Sequence, residues 1–140
     1  MASSTDTVEL LSSLALFADL SRPQLEVVAH SFEEEFFPEG QRVLRQGIAG
    51  SNFYVIVDGE ASVRIDGVDR VTLARGDFFG EISVLLNEPP NADIVALRPL
   101  RCIALPGTAL VDFLVDHPRV MYRMLQTEAL RLRATALWQM

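Results

Sequence analysis

The middle of this sequence alternates between short apolar runs and turn residues, and this alternation limits the possible fold more than any other feature. Between residues 32 and 105, runs such as Phe53 to Val57 are separated by glycine-containing turns about every 8 to 10 residues. From 61 to 65, apolar and polar residues alternate, as in a half-buried strand. Asp58-Gly59 and Asp66-Gly67 each have the composition of a two-residue hairpin turn. The pattern predicts an antiparallel jelly roll, sandwich or barrel of about eight strands.

Helical periodicity flanks the β region on both sides. Residues 7 to 31 carry apolar side chains at helical spacing, and Ser21 with Gln24 has the pattern of a capping box at a helix start. A second helical region is predicted over about 108 to 137, with a break at His117-Pro118. The order of elements predicts a mostly β jelly roll, or double-stranded β-helix, with N-terminal and C-terminal helices.

The composition indicates one globular domain, residues 1 to 140, with its β roll over about 32 to 105. The chain is 49% hydrophobic and 22% charged, which is typical of a folded domain with its own core. No apolar run approaches the roughly 18 to 20 residues that span a bilayer, so no membrane partner is expected. The lone cysteine, Cys102, allows no internal disulfide, which favours a reducing, cytoplasmic location. The net charge of −7, with scattered arginines, predicts no direct nucleic-acid partner.

The glycines of the β region stand in an ordered series of motifs. Gln46 to Ile56 reads QGIAGSNFYVI, Gly59 follows, and Gly76 to Glu81 reads GDFFGE. This series, followed by a helical tail, resembles the cyclic-nucleotide-binding domain family, and the match runs from about Leu14 to Leu132. The resemblance implies a β jelly roll, a cyclic nucleotide as the ligand, and a regulatory, non-catalytic role without a resident cofactor.

The resemblance also implies a phosphate-binding cassette that opens at Phe79-Gly80-Glu81. Gly80 would let the backbone approach the ligand, the amides of Ile82 and Ser83 would hold the phosphate, and Glu81 would accept a hydrogen bond from the ribose 2′-hydroxyl. The simpler interpretation of the same residues is that Gly80 is only a turn and Glu81 only an acid favoured at a helix start. The candidate ligand-binding residues are Phe79, Gly80, Glu81, Ile82, Ser83, Pro90, Asn91, Ala92 and Asp93.

The second half of this cassette departs from the family pattern. Where the family has proline, arginine, two small residues and a threonine or serine, this chain has Pro89 to Asp93, read PPNAD. Pro90 cannot make the charge-assisted contact of the arginine, and an ionised Asp93 accepts hydrogen bonds only and would repel a phosphate. Losing one charged hydrogen bond costs about 1.5 to 3 kcal/mol. We therefore expect weak binding of cyclic AMP or cyclic GMP, or binding of a different small ligand.

Two other functions fit the same sequence. One is a protein-interaction or dimerisation module whose nucleotide site has been lost. The other is the sensor part of a catabolite-activator-type transcription regulator that lacks its helix-turn-helix. Apolar rows on the last helix, one of which contains Met121 and Leu125, predict a homodimer through that helix.

Some remaining residues have both a functional and a simpler interpretation. Glu81, Glu88 and Asp93 form an acidic group, but without a histidine or regular ligand spacing they are predicted to be solvated rather than metal-binding. Trp138 either stacks on a base or packs at the end of the last helix. No set of residues has the pattern of a catalytic dyad or triad.

Overall fold

The computed structural model describes residues 4–48 and 52–139. Two N-terminal helices, with a short 3-10 turn (Ala15–Phe17) between them, precede the β region, and two more helices follow it. The helices are α1 (Ser4–Ser12), α2 (Arg22–Ser31), α3 (Glu81–Leu86), α4 (Leu110–Asp116) and α5 (Pro118–Gln139). The strands are β1 (Glu33–Phe37), β2 (Arg42–Leu44), β3 (Phe53–Asp58), β4 (Ala61–Ile65), β5 (Val68–Leu73), β6 (Phe78–Phe79), β7 (Asp93–Ala96) and β8 (Leu100–Leu105).

The described strands form two antiparallel sheets of four strands each. One sheet has the order β1-β8-β3-β6 and the other the order β2-β7-β4-β5. The predicted mostly β roll of eight strands with flanking helices is confirmed. No helix in the described residues is both long and apolar enough to cross a bilayer.

Only one of the two predicted hairpins exists. Asp66-Gly67 joins β4 to β5, which pair directly, and both residues have the positive φ angles that such a tight turn requires. The prediction for Asp58-Gly59 is wrong, because β3 belongs to one sheet and β4 to the other. Gly59 has φ 96°, and a Cβ there would overlap the backbone carbonyl of Pro99. Gly59 therefore lies where the chain passes from one sheet to the other, and the lack of a side chain lets the backbone approach Pro99 closely.

The N-terminal region is less continuous than its periodicity suggests. The helical region predicted over 7 to 31 is interrupted between α1 and α2, where the 3-10 turn buries Leu16 and Phe17. The capping box at the start of α2 is confirmed. The Ser21 amide donates to the Gln24 side chain at 2.8 Å, and the Gln24 amide donates back to the Ser21 hydroxyl at 3.4 Å.

The core lies on both faces of the β3–β8 pair. Alternate residues of a strand face opposite sides, so Val55 and Ile103 pack in a cluster with the helices, while Ile56 and Cys102 pack in a cluster between the sheets. This two-sided burial explains why Phe53–Val57 is continuously apolar. Helix α5 contributes to the first cluster through buried residues of its first two turns. The last helix is therefore part of the domain core at its start.

Candidate functional site

The candidate site begins where β6 turns into α3. Phe79 pairs with Tyr54 on β3, and Gly80 then takes the left-handed conformation, with φ 91°, immediately before the helix. A Cβ at Gly80 would overlap the backbone carbonyl of Asn52, so a side chain is excluded both by conformation and by space. Helix α3 begins at Glu81 and not at Phe79, because Phe79 is held in the sheet. The turn presents Glu81 as the first residue of a short helix.

Glu81 is buried, and its two carboxyl oxygens differ in their contacts. The residue is 2% exposed, so the prediction that it is solvated is wrong. Its Oε1 lies 3.4 Å from Nη1 of Arg131, whereas Oε2 has no hydrogen-bond partner among the described residues. Burial, with the nearby charge of Glu128, raises the pKa of Glu81 to about 8 against the opposing effect of Arg131. Glu81 is therefore a carboxyl group whose ionisation lies within reach of physiological pH.

Arg131 of α5 connects the last helix to this turn. Its Nη2 donates to the backbone carbonyl of Phe78 at 2.8 Å, and its Nη1 donates to Glu128 at 3.1 Å. The guanidinium also lies over the Phe78 ring, 4.5 Å from the centroid. Sequence reasoning did not find Arg131, because Glu81 and Phe78 lie about 50 residues away and its spacing of three from Glu128 is an ordinary one on a helix. Through Arg131, the start of α3 and the second half of α5 are in direct contact.

The second half of the candidate cassette is attached to a different part of the chain. The carboxylate of Asp93 accepts a hydrogen bond from the Gln46 amide at 2.7 Å, and its other oxygen lies 3.8 Å from Arg42 Nε. The carbonyl of the buried Pro90 accepts a hydrogen bond from the Gly47 amide at 2.9 Å. Asp93 is thus engaged by groups of this chain itself. That engagement gives the acid a structural role which its sequence position did not reveal.

The loop after β2 is tied to the β4–β5 hairpin as well. The Gln46 side chain donates to the Asp66 carboxylate at 2.9 Å and accepts a hydrogen bond from the Asp66 amide at 3.0 Å. Gln46 therefore joins the end of β2 to both the cassette and the hairpin. Gly50 and Ser51, which belong to the glycine motif of this loop, lie outside the described residues, as does the side chain of Trp138.

The structure places the predicted site residues in two separately anchored groups. Phe79, Gly80 and Glu81 lie at the β6–α3 turn, followed on α3 by exposed Ile82 and buried Ser83. The second group is held to the loop after β2; in it Pro90 and Ala92 are buried, Asn91 is exposed and Asp93 is half-buried.

Comparison with known proteins agrees with this geometry. The family model for the cyclic nucleotide-binding domain matches residues 34–117, which include all eight strands described above except the first residue of β1. The chain belongs to the cyclic nucleotide-binding domain family. This confirms the resemblance seen in the sequence.

The relatives of this cyclic nucleotide-binding domain include a cGMP-dependent protein kinase from Toxoplasma gondii. The two are 32% identical over 123 residues, which is 88% of this chain but only 12% of the kinase. Among solved structures, cAMP-bound PfPKA-R has a TM-score of 0.79 at 22% identity, over 95% of this chain and 47% of that one. The catabolite activator protein of Thermus thermophilus has a TM-score of 0.78 at 25% identity, over 89% of this chain and 61% of that one.

Proposed function

We propose that this chain is a non-catalytic regulatory domain that binds cyclic AMP or cyclic GMP weakly, or a different small ligand, at the β6–α3 turn. The observation that carries this proposal is the buried Glu81 carboxyl, whose Oε2 has no hydrogen-bond partner in the part of the chain that the structure describes. Leaving a buried polar atom unsatisfied costs about 1 to 3 kcal/mol. A ligand hydroxyl that donates to Oε2 would remove that cost, and a ribose supplies such a hydroxyl. The phosphate contacts expected from the Ile82 and Ser83 amides stay a prediction.

The second half of the cassette supports weak rather than tight binding of an anionic ligand. Pro90 offers no positive charge, and its carbonyl is already used by the Gly47 amide. Asp93 adds a negative charge; it accepts a hydrogen bond from the Gln46 amide, and the positive charge of Arg42 lies 3.8 Å from it. Missing one charged contact to a phosphate lowers affinity by roughly tenfold to a hundredfold.

The contact between Glu81 and Arg131 supports a regulatory role. A ligand that binds Glu81 changes the 3.4 Å contact between Glu81 Oε1 and Arg131 Nη1, and Arg131 belongs to α5. Because the same guanidinium also holds the Phe78 carbonyl, a change at the site alters how α5 sits on the β6–α3 turn. A partner that contacts α5 would then sense the ligand through a shift between two arrangements of this helix.

Titration calorimetry with cyclic AMP and cyclic GMP tests the proposal. We expect measurable heat with dissociation constants between micromolar and millimolar, and at least tenfold weaker binding in Glu81→Gln. Glu88→Gln, which changes an exposed acid beyond the end of α3, is the matched control and should bind as the wild type does. No heat at millimolar concentrations of either nucleotide would overturn nucleotide binding. If Pro90→Arg binds a cyclic nucleotide and the wild type does not, the wild-type site is one that has lost its affinity for nucleotides.

A second candidate function, dimerisation through α5, is favoured by the exposed apolar residues of that helix. Tyr122, Leu125 and Leu132 are 47%, 64% and 71% exposed. Their spacing, with Ala129 between the two leucines, follows the three-four pattern of a coiled-coil seam. The sensor part of a catabolite-activator-type regulator stays a prediction, supported by the likeness to the Thermus thermophilus protein.

Light scattering tests dimerisation. We expect a dimer in the wild type and a monomer in the double variant Leu125→Glu, Leu132→Glu, because the charges would be buried in the seam. Val71→Glu, at a similarly exposed position on β5, is the control and should remain dimeric. Removing α5 by ending the chain at Pro118 would not test the seam alone, because Val120 and Met124 of α5 are core residues and their loss would destabilise the fold. A monomeric wild type, or a double variant that is still dimeric, would contradict this seam.

A further inference from the structure

Two glutamates share one arginine beneath the β6–α3 turn. Arg131 Nη1 lies 3.1 Å from the Glu128 carboxylate and 3.4 Å from that of Glu81. Its Nη2 is occupied by the Phe78 carbonyl at 2.8 Å. If both acids were ionised, the three side chains would carry a net charge of −1 around an almost fully buried carboxylate. A buried charge of this kind is costly unless a proton neutralises it.

The geometry also shows which acid holds the proton. Glu128 is partly exposed, with 28% of its side chain accessible, so water can stabilise its charge, whereas the side chain of Glu81 is 3% exposed. Glu128 is also closer to the arginine, three positions away on the same helix. Glu128 therefore retains Arg131 as its partner. Glu81 is left with the weaker contact and with an oxygen that has no partner within residues 4–48 and 52–139.

The other charged groups near α3 do not change this balance. Strand β3 and helix α4 pack against α3; β3 carries Asp58, and α4 carries Asp112 and Asp116. Helix α5 adds Arg131 and Glu128. Of these charged groups in the described residues, only Glu128 and Arg131 shift the pKa of Glu81. The Glu128 charge raises this pKa, in the same direction as burial does.

We propose that Glu128, by holding Arg131, keeps Glu81 in its neutral, protonated form in the ligand-free domain, so that ligand binding at Glu81 releases a proton. Glu128 is then a positioning residue for the site, acting through Arg131 without touching the ligand. The part of the proposal that concerns the ligand rests on the proposed function. The part that concerns Glu81 and Glu128 stands without it.

The proton balance of the binding step is simple. A ligand hydroxyl donates a hydrogen bond to Oε2 of Glu81, and this bond stabilises the carboxylate more than the neutral acid. The carboxyl proton leaves to the buffer, and the O–H bond of the ligand stays intact. Arg131 Nη1 then pairs with the ionised Glu81. Because the free site must lose its proton, affinity rises with pH by up to tenfold per unit and levels off above about 8.

Carbon-13 NMR of glutamate-labelled, ligand-free protein tests the coupling directly. The Glu81 carboxyl signal is identified by its loss in Glu81→Gln. We expect its titration midpoint near 8 in the wild type and clearly lower in Glu128→Gln, where Arg131 is free to pair with Glu81. Glu88→Gln should leave the midpoint unchanged. A wild-type midpoint near the ordinary glutamate value, or one that Glu128→Gln does not move, would overturn the proposal.

Calorimetry with cyclic AMP and cyclic GMP tests proton release. Titrations at pH 7 in buffers of different ionisation enthalpy should show release of up to one proton in the wild type, less in Glu128→Gln and none in Glu81→Gln. An equal proton count in the wild type and Glu81→Gln, or a pH-independent wild-type affinity, would overturn the ligand-linked step. If both nucleotides give no heat while the NMR midpoint lies near 8 and falls in Glu128→Gln, nucleotide binding fails and the Glu128–Glu81 coupling is supported.

Discussion

At the scale of single residues, Gly80 decides whether the β6–α3 turn can form. Its φ of 91° is a conformation that residues with a side chain rarely adopt. It also lies so close to the Asn52 carbonyl that a methyl group would overlap a backbone atom that cannot move independently. Gly76, two residues before β6, has a similar φ of 90° but open space around it. Substituting each glycine by alanine therefore distinguishes the free-energy cost of the backbone conformation from that of the steric overlap.

We predict that Gly80→Ala destabilises the fold more than Gly76→Ala does. Each substitution adds backbone strain of about 1 to 3 kcal/mol, and only Gly80→Ala adds the overlap with the Asn52 carbonyl. Urea unfolding followed by circular dichroism measures both free energies of unfolding. Equal losses in the two variants would contradict the claim that crowding at Asn52 matters.

At the scale of elements, the cassette is attached to the rest of the roll at both of its ends. The start of α3 is held by Arg131 from α5, and the segment before β7 is held through Asp93 to the loop after β2. The same loop reaches the β4–β5 hairpin through Gln46 and Asp66. Gln46 thus connects this loop to the hairpin, and Asp93, the first residue of β7, connects the loop to β7. Substitution of Asp93 should loosen the loop without unfolding the sheet.

We predict that Asp93→Ala speeds hydrogen exchange at the Gln46 amide, because that amide loses its acceptor. The free energy of unfolding should fall by about 1 kcal/mol, the usual value of one hydrogen bond. Asp69→Ala is the control, since Asp69 bonds Ser62 and Arg64 within the β4–β5 hairpin. Unchanged exchange at Gln46 in Asp93→Ala would show that the carboxylate does not hold this loop in solution.

At the scale of the whole molecule, an ion pair joins the N-terminal region to the last helix. Asp19 receives two hydrogen bonds from Arg123, at 2.7 and 2.8 Å, and one from Arg119 at 3.2 Å. The partners are about 100 residues apart in the sequence. The hydrogen bonds from Arg123 lower the pKa of Asp19 to about 2. This contact helps to keep α5 against the 3-10 turn that follows α1.

We predict that this ion pair loses its effect in acid. Because the folded state lowers the pKa of Asp19 from 3.8 to about 2, its contribution to stability is complete above 3.8 and disappears as pH falls through 2. Asp19→Asn should therefore melt below the wild type at pH 6, and the gap should close towards pH 2. Glu39→Gln, in an exposed turn, is the control. A gap that does not depend on pH would contradict the role of the Asp19 charge.

Much of the architecture follows from local patterns, and the errors show where such patterns end. The capping box at Ser21 and the turn at Asp66-Gly67 were predicted correctly, because each is formed by residues a few positions apart. Asp58-Gly59 has the same composition as Asp66-Gly67 and is not a hairpin. Asp58-Gly59 would be a hairpin only if β3 paired with β4, but β3 lies between β8 and β6 in the other sheet. Sheet order decides this pairing, and the residues of the turn do not.

The sequence by itself determined the strand-rich middle, the turn at Asp66-Gly67, the flanking helices and the family to which the domain belongs, since these depend on short-range periodicity and on ordered motifs. Tertiary structure alone decided the chemistry of the site. Glu81 became a buried, half-partnered acid and Asp93 an internal anchor because their partners, Arg131 and Gln46, lie about 50 residues away. Burial and long-range pairing set the charge state of a carboxyl group, and neither can be read from its neighbours in the chain.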